Sequence, residues 1–168
     1  GVHASAGIYG YAPGHGPRSA TPDWDEKAIA PLTTAGIAHY DDTVGCLDGA
    51  GNLQWIRPAR GGVDSSISAG DFDGDGKPEV FFATQLGVVY RYSEDGRLIW
   101  ETDMQGRSLA PGAIVDVDND GAMEYVLCTQ NGRLMIFGQD GGLRYEMQFP
   151  HRTIGVTPAF GHFNNNAD

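Results

Sequence analysis

The sequence predicts an all-β chain: a partial β-propeller of four-stranded blades, with about three and a half blades in 168 residues. Three observations lead there. Two acidic loops of one design begin 45 residues apart: Asp71-Phe72-Asp73-Gly74-Asp75-Gly76-Lys77-Pro78-Glu79 and Asp116-Val117-Asp118-Asn119-Asp120-Gly121-Ala122-Met123-Glu124. The same interval spaces Gly51, Gly96 and Gly141, then Leu53, Leu98 and Leu143, then Trp55, Trp100 and Tyr145, then Leu47, Tyr92 and Phe137. Short strand-like runs separated by glycine-bearing turns fill each interval. A fixed period of roughly 40–45 residues with several short strands per unit is the mark of a propeller blade. Each blade buries its faces only against its neighbours, so the fold is an array.

The elements follow in order. Residues 1–20 are rich in Gly, His, Pro and Tyr and show no period, and an irregular arm is expected there. Blades are expected at 21–60, 61–105 and 106–150, with an incomplete one at 151–168. In the first, Asp23-Trp24-Asp25 reads as a decayed loop and 43–58 as the last two strands. In the second, 66–72 is the first strand and the acidic loop its exit. Residues 78–85 form the second strand, with Val80 and Phe82 on one face and Phe81 and Ala83 on the other. Leu86-Gly87 turns the chain into a third strand over 88–93. Glu94-Asp95-Gly96 is a hairpin turn with glycine at its left-handed position, and 97–104 is the fourth strand. The third blade repeats the scheme at 108–117, 123–130, 133–138 and 143–149, and 153–163 begins another. Its loop, His162-Phe163-Asn164-Asn165-Asn166, lacks a carboxylate at the first position.

Both acidic loops read D-x-D-x-D-G-x-x-E. Hard cations such as Ca²⁺ take about 6–8 oxygen ligands, and a curling chain presents alternate residues inward. The glycine supplies the positive φ for a sharp return. The expected ligands are Asp71, Asp73, Asp75 and Glu79 with the Lys77 carbonyl, and Asp116, Asp118, Asp120 and Glu124 with the Ala122 carbonyl. An EF-hand would carry its bidentate Glu further along, between helices; here strand-like residues follow at once. Ca²⁺ is therefore expected inside a β-hairpin, in a structural role that fixes where one strand ends and the next begins.

The run from Gly70 to Val80, G-D-F-D-G-D-G-x-P-E-V, and the Asp116 loop after it resemble the FG-GAP or VCBS-type repeats of integrin-like β-propellers. The resemblance covers most of the chain from about Pro58 onward. It implies calcium in the loops and an integrin-like blade. It does not name a role, because such repeats occur in adhesion proteins, secreted enzymes and lectin-like modules alike.

A net charge of −11 and a pI near 4.6 weigh against nucleic-acid or anionic-membrane partners. No apolar run is long enough to span a bilayer, and Gly1 reads as the start of a mature or truncated chain. Extracellular calcium modules bind at about 10⁻⁴–10⁻³ M, so an extracellular, periplasmic or cell-surface location is expected. Cys46 and Cys128 occupy non-equivalent positions two units apart and are expected as packed free thiols.

Arg107 and Arg152 are equivalent by the 45-residue offset and precede first strands. They are expected on one rim, where their forked guanidinium groups suit the carboxylates of an acidic glycan. His151 beside Arg152, and His39 beside Tyr40, are candidates for proton transfer. His3 and His15 support only loop roles. The expected function is a calcium-stabilised binding or scaffolding module for an extracellular glycan or protein. Alternatives are part of a secreted polysaccharide lyase, using a His/Tyr pair beside a charge-neutralising Arg, and a subunit of an extracellular assembly. Propellers close with about 4–8 blades, so the remaining blades are expected from the same parent protein or from a second chain.

Overall fold

A computed structural model describes residues 42–63, 65–150 and 156–160, together with the backbone of 34–39. Every regular element in it is a β-strand. Three antiparallel sheets follow one another along the chain. The first contains β1 (Thr34–His39), β2 (Thr43–Asp48) and β3 (Leu53–Pro58), in that spatial order. The second runs β4 (Ser68–Gly70), β5 (Glu79–Ala83), β6 (Val88–Tyr92) and β7 (Leu98–Asp103). The third runs β8 (Ala113–Val115), β9 (Glu124–Cys128), β10 (Arg133–Phe137) and β11 (Leu143–Gln148). These are the meandering blades that the period predicts. The expected arm at 1–20, the Asp23 loop and the loop at 162–166 lie outside the described residues.

The repeat reaches the hydrogen bonds. The register slips at Cys46/Leu47, Arg91/Tyr92 and Ile136/Phe137, the same place in each blade. Each slip leads into a turn closed by Gly51 N to Asp48 O, Gly96 N to Ser93 O, or Gly141 N to Gly138 O. All three glycines have positive φ, which an L-side chain adopts only at a cost. At the other end of the blades, Ala59 N donates to Asp42 O, Met104 N to Gly87 O, and Phe149 N to Gly132 O.

The first strands are shorter than predicted, three residues each in β4 and β8. Serine side chains take over where the ladder stops. Ser65 Oγ donates to Ala83 O at 3.0 Å and accepts from Ala83 N at 3.1 Å. Ser108 Oγ donates to Cys128 O at 2.7 Å. Pro111, just ahead of β8, has no N–H to give a ladder.

The middle blade is buried on both faces. Val80 and Phe82 of β5 pack with Val44, Cys46 and Trp55 of the first blade. Phe81 and Ala83 pack with Tyr125, Leu127, Met135 and Phe137 of the third. Phe81 stacks on Tyr125 at 4.6 Å between centroids. The alternation read from the sequence therefore sorts β5 correctly between two cores. β4 lies beside β8, where Ser68 Oγ donates to Gly112 O at 2.6 Å. Cys46 and Cys128 are buried free thiols, and burial raises both pKa values. Among the described residues no helix is long and apolar enough to cross a membrane.

Candidate metal centres

Each acidic loop joins a short first strand to a fully buried second one, so its last carboxylate is drawn inward while its tip stays in water. In the first loop, Asp71 accepts from Gly74 N at 2.8 Å and from Gly76 N at 3.1 Å. Asp73 accepts from Asp75 N, and Asp75 from Lys77 N at 2.8 Å. Glu79 is buried at the start of β5, where its Oε2 accepts from Phe72 N at 2.7 Å. The second loop repeats this. Asp116 accepts from Asp120 N and Gly121 N, Asp118 from Asp120 N, Asp120 from Ala122 N, and Glu124 from Val117 N at 3.0 Å. Gly74 has φ +79°, and Asn119 takes its place at φ +60°, in the left-handed region that Asn tolerates better than most residues.

These turns bring one carboxylate oxygen each from Asp71, Asp73 and Glu79 within 4.8 Å of one another, and likewise from Asp116, Asp118 and Glu124. An all-oxygen cluster with one buried and two more accessible acids fits a hard divalent cation. Asp75 and Asp120 stand outside these groups of three, at the exposed tips. Lys77 and Ala122 sit at the predicted carbonyl positions. Lys77 also pairs through Nζ with Glu94 at 3.0 Å.

One residue at the first centre is absent from the sequence expectations. Arg91 of β6 is 3% exposed, and its Nη2 lies 2.6 Å from Asp73 Oδ2 and 3.5 Å from Glu79 Oε2. Its Nη1 donates to Gln139 O at 3.1 Å, and its guanidinium lies 4.8 Å from the Phe72 ring centroid. Nε of Arg91 is buried without a hydrogen-bond partner. Burial raises the Glu79 pKa, opposed by the Phe72 N–H and by Arg91. The signal was present: the 45-residue equivalents of Arg91 are Cys46 and Ile136, so a cation at this otherwise apolar position needed an anion nearby. Gln139 was missed too. Its Nε2 donates to Phe72 O in the first loop and, at 3.1 Å, to Met123 O in the second.

The remaining predicted site residues lie elsewhere. Arg107 is exposed, and its carbonyl accepts from Gln130 N at the end of the third blade opposite its acidic loop. Arg152, His151 and Tyr40 fall outside the described residues, as does the side chain of His39.

Solved structures with similar folds are propellers. BamB from Moraxella catarrhalis aligns with TM-score 0.58 and 18% identity, over 71% of this chain and 34% of BamB. BBS1N, solved in complex with ARL6DN, aligns with TM-score 0.57 and 15% identity, over 73% of this chain and 38% of its own. The computationally designed Ika8 protein aligns with TM-score 0.53 and 12% identity, over 74% and 36%. At such identities the likeness establishes the fold, and the chain spans little more than a third of each protein's length. No curated protein matches in sequence. The narrower FG-GAP or VCBS type rests on the loop motif alone. A family profile matches residues 37–147, from the second half of β1 through all but the last residue of β11, and by that match the chain belongs to the lambda-carrageenase beta-propeller domain family.

Proposed function

We propose that these blades are calcium-braced and form part of an extracellular propeller that binds and degrades a carrageenan-like sulfated galactan. The observation that carries this reading is the family match over residues 37–147. It directs the choice of acidic glycan from a polyuronate to a sulfated one. β-Elimination needs a uronate carboxyl to acidify the neighbouring C–H; a sulfated galactose unit has none, so cleavage would be hydrolytic. Arginine serves either polymer, because its fork matches sulfate oxygens as it matches carboxylate. Arg107, with Arg152 at its 45-residue equivalent in the sequence and His151 next to it, is the proposed contact surface. The net charge of −11 repels a polyanion only within about 8 Å at physiological salt, and beyond that distance the field of the protein is screened. The arginines therefore act at contact range and not by long-range steering.

Calcium has a separate, bracing role in this reading. The acidic loops lie at the opposite blade end from Arg107, so an ion there would fix strand junctions rather than touch the polymer. Supporting it are the all-oxygen donor sets and the buried Glu79 and Glu124.

The test is to incubate the whole polypeptide with λ-carrageenan, a neutral galactan and a polyuronate, following affinity electrophoresis and new reducing ends. Retardation and cleavage are expected with carrageenan alone, and both should weaken in the Arg107→Ala/Arg152→Ala double variant. Cleavage of the polyuronate with the ultraviolet absorbance of an unsaturated product would establish the lyase instead. Indifference to all three polymers would overturn the glycan reading in favour of a protein ligand.

A further inference from the structure

We infer that the two loops are unequal calcium sites: Arg91 weakens the first and holds it formed without metal, whereas the second depends on the ion. This rests on the calcium reading above. The four motif carboxylates are the same in both loops, Asp71, Asp73, Asp75 and Glu79 against Asp116, Asp118, Asp120 and Glu124. Their surroundings differ by two cations. Lys77 becomes Ala122 in the second loop, and Arg91 becomes Ile136. Among the described residues no ion pair joins Asp116, Asp118 or Glu124 to a cation.

Arg91 is not a surface charge that can swing aside. It is 3% exposed, between the Phe72 ring and the carbonyl of Gln139 on the next blade. A buried guanidinium requires anions, and Asp73 at 2.6 Å and Glu79 at 3.5 Å supply them. Two of the three clustered acids are thus already engaged by a fixed positive charge. Calcium affinity in oxygen-ligand loops follows ligand charge and rigidity. Here a divalent ion must share Asp73 and Glu79 with a neighbour of its own sign, in a partly buried setting where screening is weak. The same contact ties Asp73 to β6, so the first loop keeps its shape when calcium is removed. The second loop has four acids and no built-in counterion, which makes it the tighter site and the one that opens on chelation.

Calorimetric titration of the chelator-stripped whole polypeptide with Ca²⁺ tests this, with Asp73→Asn and Asp118→Asn identifying the step that belongs to each loop. The step lost in Asp118→Asn is expected to be about tenfold or more tighter than the step lost in Asp73→Asn. Arg91→Met is expected to tighten the first-loop step about tenfold and leave the other in place. Equal affinities, or a tighter first loop, overturn the inference while leaving calcium binding intact. If neither Asn variant loses a step, the calcium reading fails and this inference with it. The comparison of the two Asn variants decides the matter even if Arg91→Met does not fold.

Discussion

Tyr125 sits at the seam between the second and third blades, fully buried, with its hydroxyl accepting from Gly112 N at 3.1 Å. A side chain on Gly112 would collide with the phenol ring, so the glycine is fixed by close approach. Burial pushes the Tyr125 pKa up to about 12 from 10.0, against the relief given by hydrogen bonding. The folded state thus holds the phenolic proton more tightly than the unfolded chain. Its contribution is present in full below pH about 10 and lost as pH rises toward about 12. Two units correspond to about 3 kcal/mol at most. Urea denaturation at several alkaline pH values should show this decline, and Tyr125→Phe should flatten it in part, since burial raises Tyr90 and Tyr92 as well. The sequence could not have singled out Tyr125, because its 45-residue equivalent is Val80. Asp71 and Glu79 were legible because chemistry at fixed spacing leaves few other readings. Arg91 was legible only as a cation at an otherwise apolar position, its partners Asp73 and Glu79 lying in its own blade, and Gln139 was not legible, since its bond to Phe72 O is made only by the stacking of blades.

At the scale of elements, one contact rules the seams. The Trp55 indole donates to Glu94 O at 2.7 Å and lies under Gly96; Trp100 donates to Gln139 O at 3.1 Å and lies under Gly141. The outer strand of each blade thus docks on the last turn of the next. A Cβ on Gly141 would fall 2.7 Å from the Trp100 ring, at φ +76°. Gly51 has the same left-handed backbone but nothing within 4 Å of such an atom. Gly51→Ala should therefore cost only the backbone term of about 1–2 kcal/mol. Gly141→Ala should lose roughly 1–3 kcal/mol more through forced repacking. Urea midpoints of the two variants measure the difference, and equal losses would show that the indole contact carries no weight. The interval of 45 displayed the glycines and the aromatics as separate series. That each aromatic meets the glycine of the following unit is a fact of blade stacking that no linear pattern holds. Strand identities were readable from alternation and turns. The true ends of β4 and β8 were not, because Ser65 and Ser108 replace ladder bonds with side-chain ones.

For the whole molecule, the same contact predicts what is missing from the third blade. Tyr145 stands where Trp55 and Trp100 stand, yet it is 48% exposed, and Leu143 and Met147 beside it are also open. That face is shaped for another blade's turn. The isolated 168-residue chain is expected to self-associate, with light scattering giving a mass above the monomer. Changing Leu143 and Met147 to Lys should return it toward monomer; a wild-type chain that is monomeric with a sharp cooperative melt would show that this face needs no partner. Blades are the units of sequence, but the Gln139 amide cuts across them by bonding Phe72 O of one loop and Met123 O of the next while Arg91 holds its carbonyl. Neither loop can swing outward without dragging on its neighbour. Opening that goes beyond a loop tip, and with it access for a protease, then spreads along the seams, so that strands come loose as a pair of half-blades joined across their boundary.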